Sequence, residues 1–76
     1  PYLEYANGGI QRLTVNANGL TLDVRGYRPL KLTFAQAAGC TARWNQRPLP
    51  FNRQGDRLII ESSRHDLAAL QIVCPR

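Results

Sequence analysis

The sequence predicts an all-β fold, a small antiparallel β-sandwich of roughly six to seven short strands carrying one disulfide. Three observations lead there. Apolar and polar residues alternate with period two in several segments, the mark of half-buried strands. Turn-forming residues interrupt that alternation about every ten residues. The two cysteines, Cys40 and Cys74, both fall on faces that their neighbours assign to the interior.

Each element follows from local pattern. Pro1 to Gly9 reads as a linker or edge tail, and Asn7-Gly8-Gly9 is a turn signal. Ile10 to Val15 suits a first strand with Leu13 and Val15 inward. Ile10 is out of step with them, which calls for a late start or a bulge. Asn18-Gly19 is a hairpin signal. Leu20 to Arg25 then alternates cleanly, with Leu20, Leu22 and Val24 inward, and Leu30, Leu32 and Phe34 resume the pattern after Gly26-Tyr27-Arg28-Pro29. Ala35 to Gly39 is a small-residue connection with room for one helical turn. A strand from Cys40 places Ala42 and Trp44 on the cysteine's face, and Asn45-Gln46-Arg47-Pro48 is a tight reversal. Leu49-Pro50-Phe51 is a short edge segment, because proline cannot donate to a ladder. Asn52 to Asp56 is a turn with Gly55 at positive φ, and Arg57 to Glu61 is a strand with Leu58 and Ile60 inward. Ser62 to Ala69 is the one stretch with helical character, Ser63 being a candidate cap. Leu70 to Cys74 closes residues 10–76 as a single domain.

At 76 residues the chain holds one domain. So short a domain buries a modest fraction of its surface and gains from a covalent staple. Two cysteines suit a single bridge, with two free thiols the alternative. A metal site is disfavoured, since four clustered ligands are required and His65 is the only histidine. Closing a loop between Cys40 and Cys74 stabilises the fold by about 4 kcal/mol on a chain-entropy argument. Disulfides persist in oxidising compartments, so a periplasmic or extracellular location is expected. The chain opens on Pro1 without a charged-then-apolar leader, so a domain cut from a longer exported protein, or a processed fragment, is expected, and no stretch is long enough to span a membrane.

The net charge is +5, and Lys31 is the one lysine among ten basic residues. The arginines are dispersed from Arg12 to Arg76 with no basic run, so a basic surface is expected rather than a concentrated polyanion tract. Nucleic acid is not the expected partner, because the disulfide expectation argues against its compartments.

No catalytic constellation emerges, so no enzyme activity and no cofactor are expected. Ser63, His65 and Asp66 supply the residue types of a hydrolytic triad, but near neighbours in sequence do not converge as a triad must. Asp23 and Glu61 fall on outer strand faces and Asp56 in a turn, so no carboxylate pair suits glycoside hydrolysis. Gly8-Gly9 precedes a strand, not a phosphate-binding helix. Trp44 shares parity with Cys40 and reads as core. Tyr27, in a loop beside Arg25 and Arg28, is the candidate for exposed stacking, with a ring lying over its own loop as the alternative. The candidate ligand-binding residues are Tyr27, Arg25, Arg28, Arg43 and Arg47.

Three features carry a resemblance: the early alternating strands Leu20 to Arg25 and Leu30 to Phe34; the segment Trp44-Asn45-Gln46-Arg47-Pro48-Leu49; and the strand Leu58 to Glu61 followed by a polar crossing and a terminal strand Leu70 to Cys74. On these, Gly19 to Cys74 resembles the small C-terminal β-sandwich domains that follow catalytic domains in many bacterial glycoside hydrolases and polysaccharide-modifying enzymes. The turn there often reads valine-asparagine-glycine, from which this chain departs at Trp44 and Gln46. The resemblance implies a non-catalytic accessory or carbohydrate-binding module whose partners are a parent catalytic domain in the same chain and a polysaccharide. The alternative is a secreted protein-interaction module, an inhibitor or assembly subunit, that docks its arginines from Arg25 to Arg28 and Arg43 to Arg53 on an acidic partner.

Overall fold

A computed structural model describes residues 1–75. Among them are nine strands and no helix: β1 (Tyr2–Ala6), β2 (Gly9–Asn16), β3 (Gly19–Arg25), β4 (Leu30–Ala35), β5 (Thr41–Trp44), β6 (Arg47–Pro48), β7 (Asn52–Gln54), β8 (Arg57–Ser62) and β9 (Asp66–Val73). They form two antiparallel sheets, one ordered β1-β4-β8-β7 and the other β2-β3-β9-β5-β6. The all-β, two-layer expectation holds, with more strands than the pattern suggested. The difference lies in β1, within the stretch read as a tail, and in the short β6 and β7.

The inner faces meet along residues set by period-two alternation. Leu20, Leu22 and Val24 of β3, Leu30, Leu32 and Phe34 of β4, Leu58 and Ile60 of β8, and Leu67, Leu70 and Ile72 of β9 are all buried in one cluster. Register keeps the rows aligned: Leu32 stands opposite Ile60 and Phe34 opposite Leu58 in one sheet, Leu20 opposite Ile72 and Leu22 opposite Leu70 in the other. Burying each such side chain contributes about 1.5–3 kcal/mol. No polar side chain among the described residues is buried.

The misfit of Ile10 is resolved by a register shift between Ile10 and Arg12, after which Leu13 stands opposite Leu22 and Val15 opposite Leu20. Leu13 and Val15 therefore take the inward parity expected of them, yet they remain exposed, Val15 at 71%. Strand β2 is the edge of its sheet, exposed at every residue, with no strand among the described residues covering its inner face. At the β2–β3 turn, Gly19 has φ +146, and an added Cβ would lie 1.8 Å from the Ile72 carbonyl oxygen, so only glycine fits.

Two expected helical turns are absent. Ala35 to Gly39 bends through positive φ at Gln36 and Gly39, and the Cys40 amide donates to the Ala37 carbonyl. Ser62 to Ala69 instead ends β8, crosses between sheets and begins β9 at Asp66. The Asn52 to Asp56 turn is shorter than expected, because Asn52–Gln54 pairs with β8 and leaves Gly55, at φ +64, to reverse the chain.

Cys40 and Cys74 are joined by a disulfide across a separation of 34 residues. The sequence reading had them meet across the core from separate strands. They instead sit just beyond neighbouring strands of one sheet, where Thr41 pairs with Val73. The bridge therefore staples the start of β5 to the end of β9. Beside it, Arg53 stacks over Phe51 at 5.3 Å and donates to the carbonyls of Ala37 and Cys40. On the outer face of the other sheet, Arg57 grips Glu4 through two hydrogen bonds. That hydrogen bonding, with the Coulombic attraction second, raises the Arg57 pKa.

Replacing both cysteines (Cys40→Ala with Cys74→Ala) is expected to cost about 2–4 kcal/mol and to lower Tm by roughly 10–25 °C, read by calorimetry. Arg53→Lys is expected to cost roughly 1–2 kcal/mol in urea unfolding, because lysine lacks the planar fork whose two arms reach the two carbonyls while its face lies on Phe51.

Candidate functional site

The strand directions sort the connections into two ends. At one end lie the β2–β3 turn, the Gln36–Cys40 loop and the disulfide. At the other lie the β1–β2 link, the Gly26–Pro29 loop, the Asn45–Gln46 turn and the Ser63–His65 crossing.

Backbone hydrogen bonds weld this second end together. The Gly26 amide donates to the His65 carbonyl at 2.8 Å and the Leu30 amide to the Arg64 carbonyl at 3.2 Å. Asn7 fastens the link: its amide donates to the Lys31 carbonyl, its Nδ2 to the Pro29 carbonyl, and its Oδ1 accepts from the Lys31 amide. The loops are thus held by sheet crossovers, the kind of rigid support that positions binding residues on loops.

Trp44 joins the third connection to this end. Its ring is half-buried against the core, and Nε1 donates to the Ala68 carbonyl at 3.0 Å. That carbonyl is available because β9 bulges: Leu22 pairs with Leu70 and Val24 with Leu67, so Ala68 and Ala69 together face Asp23. Ala69 sits at φ +56, and Asp23 Oδ1 accepts its amide at 2.7 Å. The Arg64 guanidinium lies over the Trp44 ring, 4.3 Å from its centroid, within cation–π range. The core reading of Trp44 thus describes one part of its ring, and Arg64 covers another.

Tyr27 is fully exposed, beside an open recess of about 300 Å³ lined by Gly9, Gln11, Arg25 and Gly26. Arg25 pairs with Asp66 at 2.9 Å and Arg43 donates to the Gln46 carbonyl at 3.0 Å, so both are partly engaged. Arg28 and Arg47 are exposed and have no side-chain partner among the described residues. Arg47 pairs with Trp44 through the strand register. Arg53, part of the proposed basic docking set, spends its donors internally. Sequence reasoning missed Arg64, whose segment it took for helix. An arginine in a polar crossing between two apolar strands is the signal that could have marked it.

Among the described residues no group of three or more His, Cys, Asp and Glu side chains gathers as a metal site would, and no helix is long and apolar enough to cross a membrane. Neither a known family, nor a curated protein, nor a solved structure matches the chain.

Asp23→Ala should lose roughly 1–2 kcal/mol in urea unfolding as the Ala69 amide loses its acceptor. Ala69→Gly should gain roughly 0.5–1 kcal/mol by relieving the left-handed conformation.

Proposed function

We propose that the chain is a non-catalytic accessory module that binds glycan for an exported polysaccharide-acting enzyme, in the periplasm or outside the cell. The observation that supports this most is the loop end, where the fully exposed Tyr27 ring stands over an open recess beside Arg25. A planar ring stacks on the apolar face of a sugar, and neighbouring guanidinium groups donate to its hydroxyls. The disulfide is compatible with an oxidising extracellular or periplasmic location.

A second reading, a protein-docking module, draws on a different observation. Ile10, Leu13 and Val15 form an exposed apolar row on the inward side of β2, continuous with the buried row of β3. An uncovered apolar edge strand is a ready surface for protein contact.

Titration with oligosaccharides, followed by amide shifts in two-dimensional NMR, tests the first reading. Dissociation constants are expected in the micromolar to millimolar range, with shifts at Gly26 to Arg28 and Arg64 to Asp66. Tyr27→Ala should weaken binding roughly tenfold without moving Tm. Turnover of a glycan by the domain alone would refute it, and shifts confined to β2 on adding a protein partner would favour docking.

A further inference from the structure

Charge at the loop end is divided unequally. Its carboxylates are committed: Asp66 binds Arg25 at 2.9 Å, and Glu61 lies 4.0 Å from Lys31. Elsewhere Asp23 faces Arg12 and Glu4 faces Arg57. Beyond Arg25 and Lys31, three further cations are not similarly committed. Arg28 and Arg47 have no side-chain partner among the described residues, and Arg64 has only the Trp44 ring. Arg28 and Arg64 lie in two connections joined by backbone hydrogen bonds, and Arg47 opens β6 opposite Trp44, the ring that Arg64 covers. The +5 net charge is therefore not an even coat, because its unspent part includes these three arginines.

Resting on the glycan-binding reading, we propose that the loop end selects an anionic glycan, with Arg28, Arg47 and Arg64 receiving its carboxylate or sulfate groups and Tyr27 stacking on a sugar ring. Arg64 is the best prepared of the three. Contact with Trp44 fixes the guanidinium in place while its N–H groups stay free, so little side-chain entropy remains to be lost on binding an anion. A carboxylate or sulfate matches the two-pronged donor edge of a guanidinium. A neutral sugar accepts hydrogen bonds from such groups but carries no charge to pair with three uncommitted cations. Single-stranded nucleic acid fits less well: it needs open aromatic faces for successive bases. Here Arg64 covers Trp44, leaving Tyr27 as the fully open ring among the described residues of this end.

The experiment titrates the intact chain by NMR and calorimetry with four probes of similar length: a galacturonate hexamer, a sulfated heparin-derived hexamer, neutral cellohexaose and a single-stranded oligothymidylate. At least one acidic oligosaccharide should bind roughly tenfold or more tighter than cellohexaose, and its affinity should fall as salt rises. Which acidic probe binds identifies carboxylate or sulfate as the group recognised. Arg28→Gln, Arg47→Gln and Arg64→Gln should each weaken that binding roughly three- to tenfold. Arg57→Gln removes the same charge at the far end of β8 and should leave binding unchanged, which separates a local site from general attraction. Equal affinity for cellohexaose, with shifts at the same loops, overturns the anionic preference while leaving a glycan-binding module standing. Tighter binding of the oligothymidylate overturns it in favour of nucleic acid. Loss equal to the other variants in Arg57→Gln overturns the local site. Absence of binding to all three glycans removes this proposal and the glycan-binding reading together.

Discussion

Leu20, Leu22 and Val24 on one sheet must share an interior with Leu30, Leu32 and Phe34 on the other, and the chain changes sheets between β3 and β4 to bring them together. That facing is the constraint on which the rest depends. Apolar burial has no direction of its own. Direction comes from the ladders, which allow a strand to offer alternate residues to the core and leave the intervening ones to solvent. Once those two rows are packed, β8 and β9 have their places beside them, and the connections are driven to the two ends. The polar crossings that result are short and surface-exposed, so their backbone groups can be satisfied by one another and by side chains such as Asn7.

Much of the fold was legible in the residues for this reason. Leu20, Leu22 and Val24, or Leu58 and Ile60, announce a buried face by parity alone. The oddity of Ile10 announced the bulge that the register shows. Parity says which side of a sheet a residue takes, but not whether another sheet stands over it. Leu13 and Val15 have the correct parity and no cover. Nor does parity distinguish neighbouring strands from facing ones, so a bridge expected across the core turned out to run along one edge of it. The Ser62 to Ala69 error has a third cause. The β9 bulge breaks period two at Ala68 and Ala69, and a disturbed alternation resembles the onset of a helix. Arg64 was lost with it. Tyr27, Arg25 and Arg28 were easier to find because their loop is bounded by two clean strands.

The arginines divide into distinct kinds by what holds them. Arg53 and Arg57 are fasteners: the first binds carbonyls beside the disulfide, the second reaches Glu4 on β1. Arg12 and Arg25 are neutralised across their own sheet by Asp23 and Asp66. Such exposed pairs contribute little to stability, but they remove charge from the flank and concentrate what is left. Meanwhile the β2 edge is almost neutral and apolar on its inward side. One molecule thus offers two chemically different surfaces, a cationic end and a greasy flank, and they suit different partners.

The covalent staple and the cationic loops occupy opposite poles of the sandwich. Substitutions in Gly26–Pro29 or Ser63–His65 leave the bridge untouched, and those loops have no buried side chains to conserve. Selection, or an engineer, can therefore rewrite the tips at one pole while the other keeps the frame intact, so recognition in such a scaffold can diverge faster than architecture.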